Sequence, residues 1–99
     1  MGEFEQLVLL AILRLGNDAY GMEIREEIEK RTGREVSYGA VYTTLDRLEQ
    51  KGYVAHRLGE ATPERGGRAK KYFRALPAGR EALRVTQQAL TVMWEGVRL

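Results

Sequence analysis

The residue types that do covalent or metal chemistry are scarce in this chain. It holds one histidine, His56, and no cysteine. Disulfides, cysteine–zinc sites and thiol catalysis are therefore excluded, and a Ser/His pair has almost nothing to build from. Glu26, Glu27 and Glu29 sit among interleaved bases, the pattern of a solvated helix face. The segment from Gly59 to Gly66 lacks the Lys-Ser/Thr that turns a glycine-rich loop into a phosphate cradle. His56, in a strand-like stretch, reads as a surface or half-buried residue. These features predict a protein that is not an enzyme and carries no metal or cofactor. What remains is polyanion chemistry. Arg65, Arg68, Lys70, Lys71 and Arg74 fall within ten residues that contain no acid. Such a cluster is either a solvated loop or a phosphate-binding patch.

The formal net charge of +2 conceals an asymmetry. Residues 1–30 carry three bases and seven acids, residues 31–60 five and four, and residues 61–99 eight and three. Ninety-nine residues make one domain with a modest core, to which a second subunit would add burial. The longest apolar run, Leu7 to Leu13, is far short of a membrane span. Neither a signal peptide nor a myristoylation pattern opens the chain. A cytoplasmic protein is expected.

The elements that must position the basic cluster follow from periodicity. Residues 3–15 are apolar nearly all round and predict a helix buried on more than one face. Gly16-Asn17-Asp18 stops it. Tyr20, Ile24 and Ile28 repeat every four residues and predict an amphipathic helix over 20–32, ended by Gly33. Ser37 is a suitable N-cap for a third helix over 38–51. Its core stripe is Val41, Leu45 and Leu48. The opposite side is small and polar, with Ser37, Gly39, Thr43 and Thr44 exposed, Arg47 further along, and Tyr38 and Tyr42 beside them. Tyr53–Leu58 and Lys71–Leu76 predict two strands joined by a mobile loop containing Pro63 and Gly66-Gly67. Pro77 suits the first position of a last helix running from about Ala78 to near the end.

Three helices, a two-stranded hairpin and a final helix predict a mainly α fold with a small β wing: a winged helix-turn-helix. Residues 1–76 would form the DNA-binding unit and residues 77–99 a dimerisation helix. In such units the second helix of the pair enters the major groove by its N-terminal end. Gly39 lets the backbone approach, and the hydroxyls of Ser37, Tyr38, Tyr42, Thr43 and Thr44 face phosphates or base edges. Tyr38 lies nearer the core stripe and could equally pack. Arg47 could pair with a phosphate or with a surface acid. Lys51 reads as a helix-end charge complementing the dipole. Arg65, Arg68, Lys70 and Lys71 then have a place, on a wing beside the flanking backbone.

The segment Ser37–Val54 resembles the recognition-helix signature of PadR-type transcriptional regulators, most specifically in Val41-Tyr42, Leu45, Arg47-Leu48-Glu49 and Gly52. Tyr20-Gly21, Gly66-Gly67-Arg68 through Tyr72, and Gly79 through Leu83 are similar to the same family, so the resemblance spans about residues 4–90. It departs at Thr43 or Thr44, where the family commonly has proline, and at Pro77, where it has threonine. The single short last helix is similar to the smaller subgroup. The resemblance implies a homodimeric regulator of double-stranded DNA, usually a repressor, and adds Tyr20 to the DNA-facing set. It also implies, for some small members, a planar aromatic effector held at the dimer interface by a tryptophan comparable to Trp94.

Leu83, Thr86, Leu90, Met93, Trp94 and Val97 share one face of the last helix. So apolar a helix at a chain end calls for a partner helix, with Phe4 and Val8 of the first helix joining Leu90, Met93, Trp94 and Val97 in the interface. Trp94 could fill that interface, line an effector pocket, or lie exposed at a frayed end. The alternative function is a winged-helix module that binds protein rather than DNA, favoured by the acidic first third.

Overall fold

A computed structural model describes residues 1–59 and 69–99. The order is α1 (Glu3–Arg14), β1 (Ala19–Tyr20), α2 (Gly21–Thr32), α3 (Tyr38–Gln50), β2 (Val54–Leu58), β3 (Lys71–Ala75) and α4 (Pro77–Trp94). Each predicted helix forms within one or two residues of its expected bounds at the N-terminal side. α4 stops at Trp94, where Gly96 follows with φ 76°.

The wing departs from expectation in having a third strand. The antiparallel sheet runs β1-β3-β2, with Ala19 opposite Phe73 and Tyr20 opposite Tyr72. A strand of two residues carries no periodicity, so nothing in the sequence announced it. Asn17, at φ 60°, turns the chain into β1, and its Oδ1 accepts the Ala75 backbone N–H at 2.7 Å. That side chain completes the β3 ladder where no strand residue is available. On the other edge β2 pairs with β3 from Val54–Ala75 to Leu58–Lys71, and the Gly59 N–H donates to the Lys70 carbonyl at 2.7 Å. The expected mobile loop lies, apart from its ends, outside the described residues.

The core joins α1, α2, α3 and the inner sheet face. Val8, Leu9, Ile12, Ile24, Val41, Leu45, Leu48, Val54 and Phe73 are fully buried. Each contributes roughly 1.5–3 kcal/mol of transfer free energy. α1 is covered on several sides, as its all-round apolarity demanded. Two expectations fail here. Val8 is fully buried in its own domain's core and cannot face a partner; Leu10, 45% exposed, takes the outward position on α1. Thr44 is also buried, because it lies one turn from Val41 and Leu48 on the flank of the α3 stripe.

Local capping fixes the helix-turn-helix. Ser37 Oγ accepts the Ala40 N–H at 3.1 Å, and Glu23 accepts the Tyr20 N–H at 3.1 Å. Gly33 ends α2 in the left-handed region, where a side chain would strain. Arg25 Nε then donates to the Val36 carbonyl at 2.7 Å, and Glu29 accepts the Val36 N–H at 2.9 Å. Both backbone groups of Val36, near the start of α3, are thereby tied to α2.

α4 is seated only by its first turns. Gly79 packs against Tyr53 so closely that a Cβ there would run into the Tyr53 carbonyl, and Leu83 enters the core. Beyond Leu83 nearly every side chain is exposed, and the molecule measures 55 × 28 × 21 Å.

Candidate nucleic-acid interface

The exposed face of α3 carries Gly39, Tyr42, Thr43 and Arg47, with Ser37 at its cap. Among the described residues Arg47 makes no ion pair, so its guanidinium is available to a phosphate. Tyr38 and Tyr42 stack with centroids 5.8 Å apart and planes 10° from parallel. Tyr38 is half-buried, and that burial pushes its phenol above the ordinary value. The Arg25 guanidinium lies 5.6 Å from its ring centroid. Tyr42 is 41% exposed, and its ring rests on the first residue of α2. A Cβ at Gly21 would come within 2.7 Å of the Tyr42 ring and hydroxyl, which explains why glycine follows Tyr20.

From there the aromatic strip continues onto the wing. Tyr20 meets Tyr72 edge to face at 5.5 Å. Lys70 holds its ammonium 3.8 Å from the Tyr20 ring centroid, and Arg57 holds its guanidinium 4.5 Å from that of Tyr72. A cation therefore sits over Tyr38, Tyr20 and Tyr72 in turn, each in an attractive geometry with a ring face. The register explains the grouping. Tyr20, Tyr72 and Arg57 are matched across the three strands, on the sheet face opposite buried Phe73. Asp18 accepts from Arg57 and raises the guanidinium's already high pKa further.

Of the residues expected to face DNA, the structure brings Tyr20, Tyr38, Tyr42 and Lys70 onto this strip. Ser37, Gly39, Thr43 and Arg47 lie exposed along α3, and Lys71 is exposed on β3. Thr44 is excluded by its burial. Arg65 and Arg68 lie outside the described residues. The sequence reading missed Arg25, Arg57 and Tyr72. Arg57 and Tyr72 lie on separate strands, and only the register brings them onto one face.

Two other polar contacts brace the α3 C-terminus. Lys51 donates to Glu5 at 2.8 Å, and this hydrogen bond holds the buried Glu5 carboxyl below the usual carboxylate range. Lys51 is therefore an anchor to α1 rather than only a helix-end charge. His56 Nδ1 lies 2.6 Å from a Glu49 oxygen with its ring against Phe73, half-buried as expected.

The second candidate surface is apolar. Leu90, Met93, Trp94 and Val97 are 48%, 74%, 54% and 50% exposed, and Val85 and Val92 are comparably open. A groove between α1 and α4 is lined by Leu10, Leu13, Leu83 and Leu90 with Arg80 and Arg84. Phe4 is half-buried against its own core. Among the described residues no helix is long and apolar enough to cross a membrane.

Residues 9–85 match the Transcriptional regulator PadR-like family. The chain is 38% identical over 93 residues to the transcriptional regulator Rv3488 of Mycobacterium tuberculosis, covering 91% of this chain and 82% of that protein. It superposes on a PadR family transcription regulator from Clostridium difficile with a TM-score of 0.77 at 21% identity, covering 95% of this chain and 93% of the other. F93 from STIV, a winged-helix DNA-binding protein, matches with a TM-score of 0.72 at 18% identity over 91% of this chain and 89% of its own. At such identities the solved structures speak for the fold alone. The family consists of regulators, not enzymes. Its matched span takes in the capped α3, the wing strands and the seat of α4, and the chain belongs to the PadR-like family of winged-helix transcriptional regulators.

Proposed function

We propose that the protein is a homodimeric repressor that binds double-stranded DNA, with α3 in the major groove and the wing on the flanking backbone. The observation that carries the reading is the strip of tyrosines and cations running from α3 to the wing strands. Ser37, Gly39, Tyr42, Thr43 and Arg47 meet the groove and its phosphates. Tyr20, Tyr38, Lys70 and Lys71 meet the backbone beside it, joined by Arg65 and Arg68 of the wing. Residues 1–76 act as the DNA-binding unit and residues 77–99 as the dimerisation helix. The exposed apolar side chains of α4, with Leu10 and Phe4 of α1, support a twofold interface. A planar aromatic effector stacked on Trp94 fits the same surface, and quenching of Trp94 fluorescence by such compounds tests it.

Repression follows from occupancy: a dimer seated across a promoter excludes polymerase. Two half-sites about one helical turn apart, or a multiple of that, are expected. The test is binding to duplex DNA carrying an inverted repeat, over a salt series. Arg47→Ala should weaken binding and flatten the log–log salt dependence by about one. Absence of any retention on duplex DNA at low salt would overturn the reading in favour of a module that docks on protein.

A further inference from the structure

Arg57 and Asp18 form an ion pair that lies against the wing end of the tyrosine strip. Arg57 Nε and Nη2 donate to the two Asp18 carboxylate oxygens at 3.1 and 2.7 Å, a fork meeting a fork. Both side chains are about half exposed, 53% and 50%. A carboxylate held in this way offers the guanidinium the same two-oxygen edge that a phosphodiester offers. The pair is also continuous with the face assigned above to DNA. Contacts run from Tyr42 over Gly21 to Tyr20, from Tyr20 to Tyr72, and from Tyr72 to the guanidinium.

We infer that Arg57 is a further ligand for the DNA backbone and that Asp18 competes for it in the free protein, so that docking exchanges carboxylate for phosphate. The inference rests on the reading that this face meets DNA. Tyr72 keeps the guanidinium in place during the exchange, because its ring face is attractive to the cation whichever anion is in front. The direction of exchange follows from the solvent. An exposed ion pair gains little in water, whereas a phosphate contact releases a condensed counterion. Asp18 therefore sets how much affinity Arg57 adds.

Removing Asp18 also removes a negative charge near the phosphates, and a double-variant cycle separates the two effects. Duplex affinity is measured across a salt series for the full chain, Asp18→Asn, Arg57→Gln and the double variant. Lys70→Ala/Lys71→Ala serves as the reference for the underlying reading, and thermal unfolding establishes that each variant folds. Arg57→Gln should weaken binding about tenfold and flatten the salt slope by about one. Asp18→Asn should tighten binding several-fold, and in the Arg57→Gln background that gain should shrink to the part that charge repulsion alone supplies. If Arg57→Gln does not fold, Arg57→Lys, which keeps the charge without the fork, should keep the slope and lose most of the Asp18→Asn gain. A gain that persists undiminished without the guanidinium overturns the exchange and leaves simple charge repulsion. A wild-type slope in the Arg57 variant, beside a flattened slope in the Lys70/Lys71 variant, overturns the role of Arg57 and leaves DNA binding standing. Failure of the unmodified protein to bind duplex overturns both.

Discussion

Single side chains here do work that their neighbours make possible. Gly21 is the clearest case. Its missing Cβ gives the Tyr42 ring a seat on α2, and the atoms a methyl would strike are the far end of that ring. Gly21→Ala should therefore push Tyr42 outward at little cost in stability, within about 1 kcal/mol. Duplex affinity should fall by several-fold, the two being separated by comparing melting curves with binding isotherms. Glu5 is the second case. Its buried carboxylate is held by Lys51 and by the Gly2 N–H. Because the folded-state pKa is depressed, the stabilisation is present above the ordinary carboxylate range and is lost as pH falls through the depressed value. Glu5→Gln should be less stable than wild type at neutral pH by about 1–2 kcal/mol. That deficit should close as pH falls below the ordinary carboxylate range and through the depressed value, which denaturant titration at stepped pH would show.

At the scale of elements, α3 and the wing are each fixed from outside themselves. α3 begins at a side-chain cap and ends at a tether to α1, so its exposed residues hold their phase. Ser37→Ala removes the cap and should cost about 1 kcal/mol, read as a lowered denaturation midpoint, with more fraying at Tyr38 and Gly39 by hydrogen exchange. The wing strands are held by the loop after α1. Asn17 closes the β3 ladder at Ala75, and β1 adds the edge pairing. Asn17→Ala should leave the Ala75 N–H unpaired and the φ of 60° strained, a loss of about 1–3 kcal/mol. Its larger effect should be on amide protection in β3 rather than in α2.

At the scale of the whole molecule, α4 is the unfinished part. Its first turns are locked by Gly79 and Leu83, and its remainder projects with Val85, Leu90, Val92, Met93 and Trp94 exposed. Patches of this kind mark association surfaces. Met93→Glu/Trp94→Glu should shift the protein toward monomer in sedimentation experiments while the far-ultraviolet dichroism of the wing domain stays intact. DNA affinity should fall steeply with it, since two half-sites joined by a dimer bind as one unit. A dimer unaffected by these changes would remove α4 from the proposed interface.

Local rules were enough for much of this protein. The helices followed from four-residue spacing, Ser37 from cap chemistry, and the core from the stripes Ile24–Ile28 and Val41–Leu45–Leu48, because these signals involve neighbours within one or two turns. The lack of cysteine excluded disulfides and thiol chemistry from types alone. The basic cluster and the small polar face of α3 raised the expectation of polyanion binding. Burial on a flank was less legible. Thr44 looked exposed because a helical wheel gives angle but not how widely the neighbours wrap around it, and Val8 looked available because α1 is apolar on every side. Tertiary structure alone decided which cations meet which rings. Arg57 stands over Tyr72, and Tyr20 beside it, because a two-residue strand joined the sheet in a particular register. Register there is set by contacts between residues that lie tens of positions apart, and a two-residue strand is too short to carry the alternation that would announce it.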